Sequence, residues 1–450
     1  MPDSPRDLPF PDGFIWGAAT AAHQVEGGNT NNQWYEWEDR GGIATGERSG
    51  RAIDWWTRAE DDFDRARDMG LNGMRLSLEW SRIEPEEGRW DEAAIARYRA
   101  MLAGLRARGI EPLVTLHHFT NPLWLERKGA FQTAAVVPLF ERYARHCAEV
   151  FGDLCDFWCT VNEPNVYASM GYLLGAFPPG RKGDFTSMLR VHAHMLRAHA
   201  AAYRAIHSVQ PHARVGIAHH IRIFDAARRS HPLDQLVAWI QDLGFNALVL
   251  DALHKGHGTG IVRLFARHLS SVRGTYDFLG LNYYSRDMVT FDLRYPAELF
   301  ARRFTFPGAE RMDGGASEVQ GDTYGELYPD GMRRALLRMA RYGRPLYVTE
   351  NGFPDTDDDQ RPSGLVRTLV AVYQAIQRKA PVKGYYHWSL VDNFEWAEGW
   401  SLRFGLIAVD PATQERAPRT SAGIYSRISH ANAVPADLIA QYVPGEKTPA

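Results

Sequence analysis

The chain has 450 residues, of which 45% are hydrophobic and 23% are charged, a globular balance with enough apolar material for a large core. Its formal net charge of −3 gives no reason to expect a nucleic-acid partner or an anionic membrane surface. No apolar run is long enough for a transmembrane span, and the segment Met1–Phe10 lacks the basic and apolar parts of a secretion signal.

The chain contains three cysteines, Cys147, Cys155 and Cys159, which lie close together in the sequence. An odd number in a chain of this size gives no disulfide framework, and a zinc site would need more ligands at other spacings. We therefore interpret them as buried thiols of a cytoplasmic protein. No metal is predicted, and no organic cofactor either, because no glycine-rich phosphate loop follows a strand near the start.

Short β-rich runs alternate with longer amphipathic segments along the chain. The predicted strands are Phe14–Ala18, Met74–Leu78, Pro112–Leu116, Phe157–Val161, Val215–Ala218, Phe278–Leu281, Leu346–Thr349 and Gly384–Trp388. Helices are predicted between them, among others at Glu92–Arg108, Val136–Phe151 and Thr186–His207. Eight strands alternating with helices indicate a parallel sheet that closes, so we expect an α/β fold, a single (β/α)8 TIM barrel forming one domain of residues 1–450.

Two segments do not fit this alternation. Thr290–Asp330 is rich in arginine, glycine and proline and is too irregular for one helix, so we expect a loop over one face of the barrel. The tail after Pro435 is expected to wrap the surface of the domain.

Polar and aromatic residues collect where the predicted strands end. In a (β/α)8 barrel these ends meet at one face, and functional sites are built there. The residues are, in strand order, Gln24, Arg75, His117 and His118, Asn162 and Glu163, Asn282 to Tyr284, Glu350 and Asn351, and Trp388 with the following Asp392–Trp396. One such residue could be a cap or a turn, but a set that recurs at most of the strand ends predicts a site.

Two glutamates of this set are placed as glycoside hydrolysis requires. Glu163 and Glu350 end the fourth and seventh strands. They lie on opposite sides of the opening of the barrel at this face, here called the mouth, so they can face each other across a sugar. When two such carboxyls are about 5–5.5 Å apart, one protonates the leaving oxygen, the other attacks the anomeric carbon, and configuration is retained. Arg75 and Tyr284 are expected to donate to Glu350 and keep it ionised, whereas Glu163 must hold a proton near neutrality. Asn162 is expected to hold the sugar 2-hydroxyl.

Seven short motifs carry a family resemblance. They are Phe14–Thr20, Gln24–Gly27, Thr160–Pro164, Thr349–Gly352, Trp388–Leu390, Asp392–Trp396 and Arg403–Leu406. Together they resemble the motifs of glycoside hydrolase family 1, the β-glucosidase and β-galactosidase family, over nearly the whole chain from about Phe10 to about Tyr425. The run Asp392–Trp396 combined with the opening motif is the most specific part of the resemblance.

The resemblance implies a (β/α)8 barrel and a role for each matching residue. Glu163 is the implied acid/base and Glu350 the implied nucleophile. The implied sugar-binding residues are Gln24, His118, Asn162, Glu395, the platform Trp388, and Trp396 and Phe404 near the 4- and 6-hydroxyls. The implied support of the nucleophile comes from Arg75, Asn282 and Tyr284. The implied function is a retaining, exo-acting β-glycosidase that removes terminal β-D-glucosyl, and also galactosyl or fucosyl, residues through a covalent glycosyl-enzyme.

The sequence departs from the family pattern at four places. Phe119 stands where tryptophan is common, Asp322–Pro329 lacks a usual tryptophan, the stretch near Gly364 and Thr368 lacks a usual tyrosine and histidine, and the opening motif continues unusually as Asn29–Trp34. None of these positions is one of the two glutamates. The departures therefore concern the leaving-group subsite and not the reaction.

Other functions fit the same sequence less well. A metal enzyme is disfavoured, because the neighbouring pairs His117-His118 and His219-His220 point their side chains apart on an extended chain. A noncatalytic sugar-binding barrel would be expected to lack one of the two glutamates, and both are present. A transglycosylase would use the same residues with an acceptor sugar in place of water, and this alternative stays open. The expected partner is a small glycoside, and the sequence gives no oligomeric state.

Overall fold

Eight parallel strands close into a barrel in the computed structural model, which describes residues 6–258, 269–312 and 324–444. Each strand pairs with its neighbours in chain order, and the last pairs with the first. The strands are β1 (Ile15–Ala19), β2 (Gly73–Ser77), β3 (Glu111–His117), β4 (Phe157–Asn162), β5 (Arg214–His220), β6 (Phe278–Asn282), β7 (Leu346–Asn351) and β8 (Val382–Trp388). The predicted (β/α)8 barrel is confirmed, and every predicted strand overlaps an observed one.

Helices connect the strands. The longer ones span Trp55–Asp68, Glu92–Ala107, Val136–Phe151, Phe185–Val209, Pro232–Asp242, Leu248–Lys255, Asp330–Ala340, Arg361–Gln377 and Thr420–Ala431. Shorter helices span Ala22–Val25, Gln33–Asp39, Trp80–Ile83, Leu123–Arg127, Pro164–Tyr172 and Ala436–Tyr442. The helix predicted to start at Glu92 does so because Asp91 caps it, accepting a hydrogen bond from the backbone N–H of Ala94 at 2.9 Å.

One large contiguous set of apolar side chains fills the barrel and the space between strands and helices. The helix Val136–Phe151 contributes Phe140, Tyr143, Cys147 and Phe151, which recur every three or four residues and are fully buried. All three cysteines are buried and unpaired, as predicted. Burial raises the pKa of each thiol, so the thiols stay neutral and act as apolar packing groups.

The expectation that Thr290–Asp330 is a loop is wrong for its first part. A three-stranded sheet beside the barrel, here called the side sheet, consists of Ile223–Ala226, Arg286–Phe291 and Ala301–Phe304. It forms because Val289 and Ala301 pack with Val237 and Ala238 of a neighbouring helix in a small core of their own. These strands were not recognised in the sequence because the alternation of apolar and polar residues extends over only a few positions and is interrupted by arginines. Residues 313–323 of the segment lie outside the described residues.

The helical run Pro232–Lys255 is, among the described residues, long and apolar enough to cross a membrane, whereas no span was expected from the sequence. However, 61% of its apolar window is buried inside the fold, as in a core helix. The first and last described segments of the chain pair with each other. Leu8–Pro9 pairs with Ala433–Val434, and the following helix Ala436–Tyr442 buries part of the tail, in agreement with the expectation that it wraps the surface.

Candidate active site

The twelve side chains predicted for the site form one buried cluster at the mouth of the barrel. Most lie at the C-terminal end of a strand or in the loop that follows it, and each of them is at most 5% exposed. They are Gln24, Arg75, His118, Asn162, Glu163, Asn282, Tyr284, Glu350, Trp388, Glu395, Trp396 and Phe404. The contacts between them divide the cluster into three parts: the carboxyl pair Glu163 and Glu350, a polar bridge between them, and the carboxyl of Glu395, which is surrounded by aromatic rings.

Glu350, in β7, is held by the two donors expected from the sequence. The guanidinium of Arg75 forms an ion pair with Oε1, and the hydroxyl of Tyr284 donates to Oε2 at 2.7 Å. The pKa of Glu350 is nevertheless raised to about 7, because loss of hydration on burial outweighs the two donors and the charge of Glu163 adds to the rise. The expectation that the donors keep this pKa low is therefore corrected: they only limit the effect of burial.

Glu163 follows β4 directly and has a left-handed backbone, with φ of 42°, immediately before Pro164 starts a short helix. Asn282 donates its amide to Oε1 of Glu163 at 2.8 Å, and Nδ1 of His220 lies 3.3 Å from the same oxygen. Asn282 is also the strand neighbour of Glu350, in agreement with its implied place beside the nucleophile, but its side-chain amide is directed to Glu163.

A polar bridge connects the two carboxyls. Asn162 Oδ1 accepts hydrogen bonds from Nη2 of Arg75 at 2.7 Å and from Nδ2 of Asn282 at 3.1 Å. Because Arg75 also contacts Glu350 and Asn282 also contacts Glu163, one continuous network runs between the two walls of the mouth. The network fixes both carboxyl groups relative to each other.

His118 extends this bridge as a neutral imidazole. Burial and the charge of Arg75 place the pKa of His118 well below its usual value. Its Nε2 accepts a hydrogen bond from Nδ2 of Asn162 at 3.1 Å, which puts the proton on Nδ1. Nδ1 is buried and has no partner among the described residues, so it can donate to a ligand hydroxyl.

Glu395, in the loop after β8, is the third carboxyl group described in the mouth. Its Oε2 accepts hydrogen bonds from Gln24 at 3.1 Å and Asn393 at 2.8 Å, and its Oε1 accepts one from the hydroxyl of Tyr324 at 2.9 Å. Burial raises the pKa of Glu395 to about 7 despite these donors. Oε1 of Gln24 is buried without a partner among the described residues, and is a second polar atom available to a ligand.

Aromatic rings surround the polar groups. The rings of Trp388 and Trp396 both lie near that of His118, with centroid distances of 5.8 and 6.0 Å, and Trp34 packs against Trp396 at 4.7 Å. Polar groups in small number on an aromatic wall are typical of a site for a small ligand. This combination suits a sugar, which has hydroxyl groups on its edge and C–H groups on its faces.

Two residues of the mouth, His220 and Tyr324, were not predicted. His220 ends β5, the one predicted strand that contributed no residue to the site, and its position was the available signal. Tyr324 lies in the irregular segment before the helix Asp330–Ala340, where no periodic pattern marks it.

A group of three acidic residues with spacing suitable for a metal, Asp355, Asp357 and Asp359, lies elsewhere in the described part of the chain. Two of the three are exposed, and the carboxylate of Asp355 accepts bonds from three backbone N–H groups of the next turn. These bonds shape the start of the helix Arg361–Gln377 and explain the conformation of the acidic turn without an ion.

Comparison with known proteins agrees with the geometry of the mouth. The sequence pattern described as Glycosyl hydrolase family 1 matches residues 7–434. Beta-glucosidase A of Thermotoga maritima is 32% identical over 448 residues, which cover 93% of this chain and 97% of that protein. A 6-phospho-beta-galactosidase of Staphylococcus aureus is 30% identical, covering 93% of this chain and 98% of its own.

A solved structure extends the similarity to the whole fold. The beta-glycosidase from Pyrococcus horikoshii superposes with a TM-score of 0.88 at 36% sequence identity, and the alignment covers 100% of both chains. The barrel, the motifs and the full-length matches agree with one another. The chain therefore belongs to glycosyl hydrolase family 1 and is an enzyme of the glycosidase class.

Proposed function

We propose that the protein is a retaining, exo-acting β-glycosidase that hydrolyses terminal nonreducing β-D-glucosyl residues, and also galactosyl or fucosyl residues, of small oligosaccharides and aryl glycosides. The observation that carries this proposal is the network Glu163–Asn282–Asn162–Arg75–Glu350, which joins two buried carboxyls across the mouth. Retention of configuration is general to the family and supports a double displacement.

In the first step, the carboxylate of Glu350 attacks the anomeric carbon while the bond to the leaving oxygen breaks. Glu163 gives its proton to that oxygen, so the aglycone leaves as a neutral alcohol. Arg75 and Tyr284 hold the two oxygens of Glu350 and position one of them for attack. The product of this step is a glycosyl ester of Glu350.

In the second step, water attacks the anomeric carbon and releases Glu350 as a carboxylate. The ester carries no charge, so Glu163 ionises more easily and takes a proton from the attacking water. Asn282 and His220, which contact Glu163, orient its carboxyl group in both steps. Two inversions give net retention, and the reaction needs no cofactor.

Recognition of the sugar follows from the free polar atoms of the mouth. We expect Asn162 to hold the 2-hydroxyl beside the nucleophile. Nδ1 of His118 and Oε1 of Gln24, which have no partner in the described part of the chain, are suited to the next hydroxyls. Glu395 accepts from the far end of the ring, with Trp388 as the platform and Trp396 and Phe404 as walls.

A panel of nitrophenyl β-glycosides together with cellobiose tests the proposal, with the anomer of the first product followed by NMR. We expect hydrolysis of the β-glucoside and release of β-glucose as the first sugar. Initial release of the α-anomer would contradict double displacement, and activity on α-glycosides alone would contradict the substrate class.

A further inference from the structure

Tyr324 has no part in the proposed function, although it joins two parts of the cluster. Its hydroxyl donates to Oε1 of Glu395 at 2.9 Å, and its ring lies edge-on to those of Tyr284 and Phe404, with centroid distances of 5.3 and 5.0 Å. Tyr284 in turn binds Glu350. The ring of Tyr324 therefore lies between the partner of the nucleophile and the carboxylate at the far end of the mouth.

A pyranose with its anomeric carbon at Glu350 presents two edges. One edge runs through C2 and C3, and the proposed function places it against Asn162 and His118, which are bonded to each other. The other edge runs through the ring oxygen and C5, which bears C6. Because Tyr324 contacts both Glu395 and Tyr284, the partner of Glu350, we expect this second edge, with the substituent at C6, to face Tyr324.

The oxygens of Glu395 are already engaged on this side. Oε2 accepts from Gln24 and Asn393, and Oε1 accepts from Tyr324. Burial and the charge of Glu395 raise the pKa of Tyr324 well above its usual value, so its hydroxyl stays a donor at all working pH values. A sugar hydroxyl that approaches Oε1 must share that oxygen with the phenol or displace it.

We propose that Tyr324 determines specificity at C6: its hydroxyl competes with a 6-hydroxyl for Oε1 of Glu395, and so favours 6-deoxy glycones over those with a hydroxymethyl group. The inference rests on the proposed function, because it requires Glu395 to face the sugar. It concerns the choice among β-glycosides and leaves the two-step reaction unchanged.

Nitrophenyl β-galactoside and β-fucoside form a matched pair of probes, because they differ only in the 6-hydroxyl. We expect the wild-type enzyme to have the higher kcat/KM on the fucoside. Tyr324→Phe keeps the ring and frees Oε1, so the galactoside should gain about tenfold relative to the fucoside, the size of one hydrogen bond to a charged group. Tyr324→Ala also removes the ring and should shift the ratio at least as far.

Tyr328→Phe is the matched control. Tyr328 lies in the same segment, but its hydroxyl contacts Asp330 and Arg334 outside the mouth, so the ratio should not move. An unchanged ratio in both Tyr324 variants, or an equal loss on both substrates, would overturn the inference. Failure of the wild-type enzyme to hydrolyse any β-glycoside would instead overturn the proposed function.

Discussion

At the scale of single residues, the carboxyl of Glu350 is the only group whose replacement should end the reaction completely. It supplies the bond to the anomeric carbon, and its contacts Arg75 and Tyr284 cannot take over that role. Glu350→Gly should lower hydrolysis of every β-glycoside by at least about 10⁴-fold, the scale expected for a lost covalent nucleophile. With an α-glycosyl fluoride and an acceptor, the variant should synthesise β-glycosides.

The exposed Glu86 gives a control, because Glu86→Gly should leave activity close to wild type. Substantial residual hydrolysis by a contamination-free Glu350→Gly preparation would assign the nucleophile to another residue.

The rate loss caused by replacing Glu163 should depend on how much the leaving group needs to be protonated. In Glu163→Ala, cellobiose turnover should fall by about 10²–10⁴-fold, the usual contribution of general acid catalysis. Dinitrophenolate leaves without being protonated, so the formation of the glycosyl-enzyme from dinitrophenyl glycosides should stay fast, whereas the hydrolysis of the glycosyl-enzyme should slow. Added azide needs no base and should restore turnover with a β-glycosyl azide as product. The same rate loss for all leaving groups without azide rescue would refute the acid/base assignment.

The pH profile should be bell-shaped because the active pair carries one proton. Burial raises the pKa of Glu350 from the ordinary 4.5 to about 7, so the acidic limb should lie near neutral pH. Activity is lost below this limb, where Glu350 is protonated, and above the basic limb, where Glu163 is ionised. Glu163→Gln should keep the acidic limb on an activated substrate and abolish the basic limb. Persistence of the basic limb would assign it to a different group.

The site residues differ in how far the sequence could define them. The positions of Glu163 and Glu350 were predictable, because each belongs to a motif at a strand end, and most other residues of the mouth follow a strand in the same way. The hydrogen-bond partner of Asn282 was not predictable from the sequence. Its strand β6 is a neighbour of β7, which carries Glu350, and only the side-chain geometry shows that the amide of Asn282 donates to Glu163. Tyr324 was missed because its place depends on contacts with Phe404 and Glu395, which are remote in sequence.

At the scale of elements, the ends of β7 and β8 approach so closely that only glycine fits at position 352, the last residue of the motif Thr349–Gly352 that contains Glu350. A Cβ atom at Gly352 would lie 1.6 Å from the carbonyl oxygen of Trp388. Gly352→Ala should therefore destabilise the protein by about 1–3 kcal/mol, as overpacking does, and also lower activity by displacing Trp388. Gly244, whose Cβ would meet nothing within 4 Å, is the control: Gly244→Ala should leave denaturant unfolding and activity unchanged. Equal effects of the two substitutions would contradict this account.

Elements were predictable where burial imposes a strong pattern. The barrel strands are buried on both faces and read as apolar runs between turn residues, whereas the strands of the side sheet have one half-buried face and charged neighbours. Their small core, with Val289 and Ala301, is completed by Val237 and Ala238 of the helix Pro232–Asp242. Tertiary contacts, and not local preference, create this sheet.

At the scale of the whole molecule, the barrel collects groups from distant parts of the chain into a closed, poorly hydrated mouth. Gln24 and Tyr324, which are 371 and 71 residues away from Glu395 in the sequence, both donate to its carboxylate. The raised pKa values of Glu350 and Glu395 result from this enclosure, since neither carboxyl lacks donors. Charge inside the mouth is therefore costly unless it is paired.

This enclosure predicts discrimination against 6-phosphorylated substrates, although a 6-phospho-beta-galactosidase is among the similar proteins. A 6-phosphate would add about −1.5 to −2 charge beside Glu395. At low effective dielectric the repulsion should cost ~4 kcal/mol, which corresponds to at least a ~1,000-fold preference for nitrophenyl β-glucoside over its 6-phosphate in kcat/KM. Because the pKa of Glu395 is about 7, the preference should be largest above neutral pH and shrink as Glu395 is protonated. Glu395→Ser should reduce this preference at high pH, because the substitution should lower kcat/KM for the unphosphorylated glucoside more than for the phosphorylated one. Comparable rates on the two substrates at pH 8 would show that Glu395 does not face the far end of the sugar.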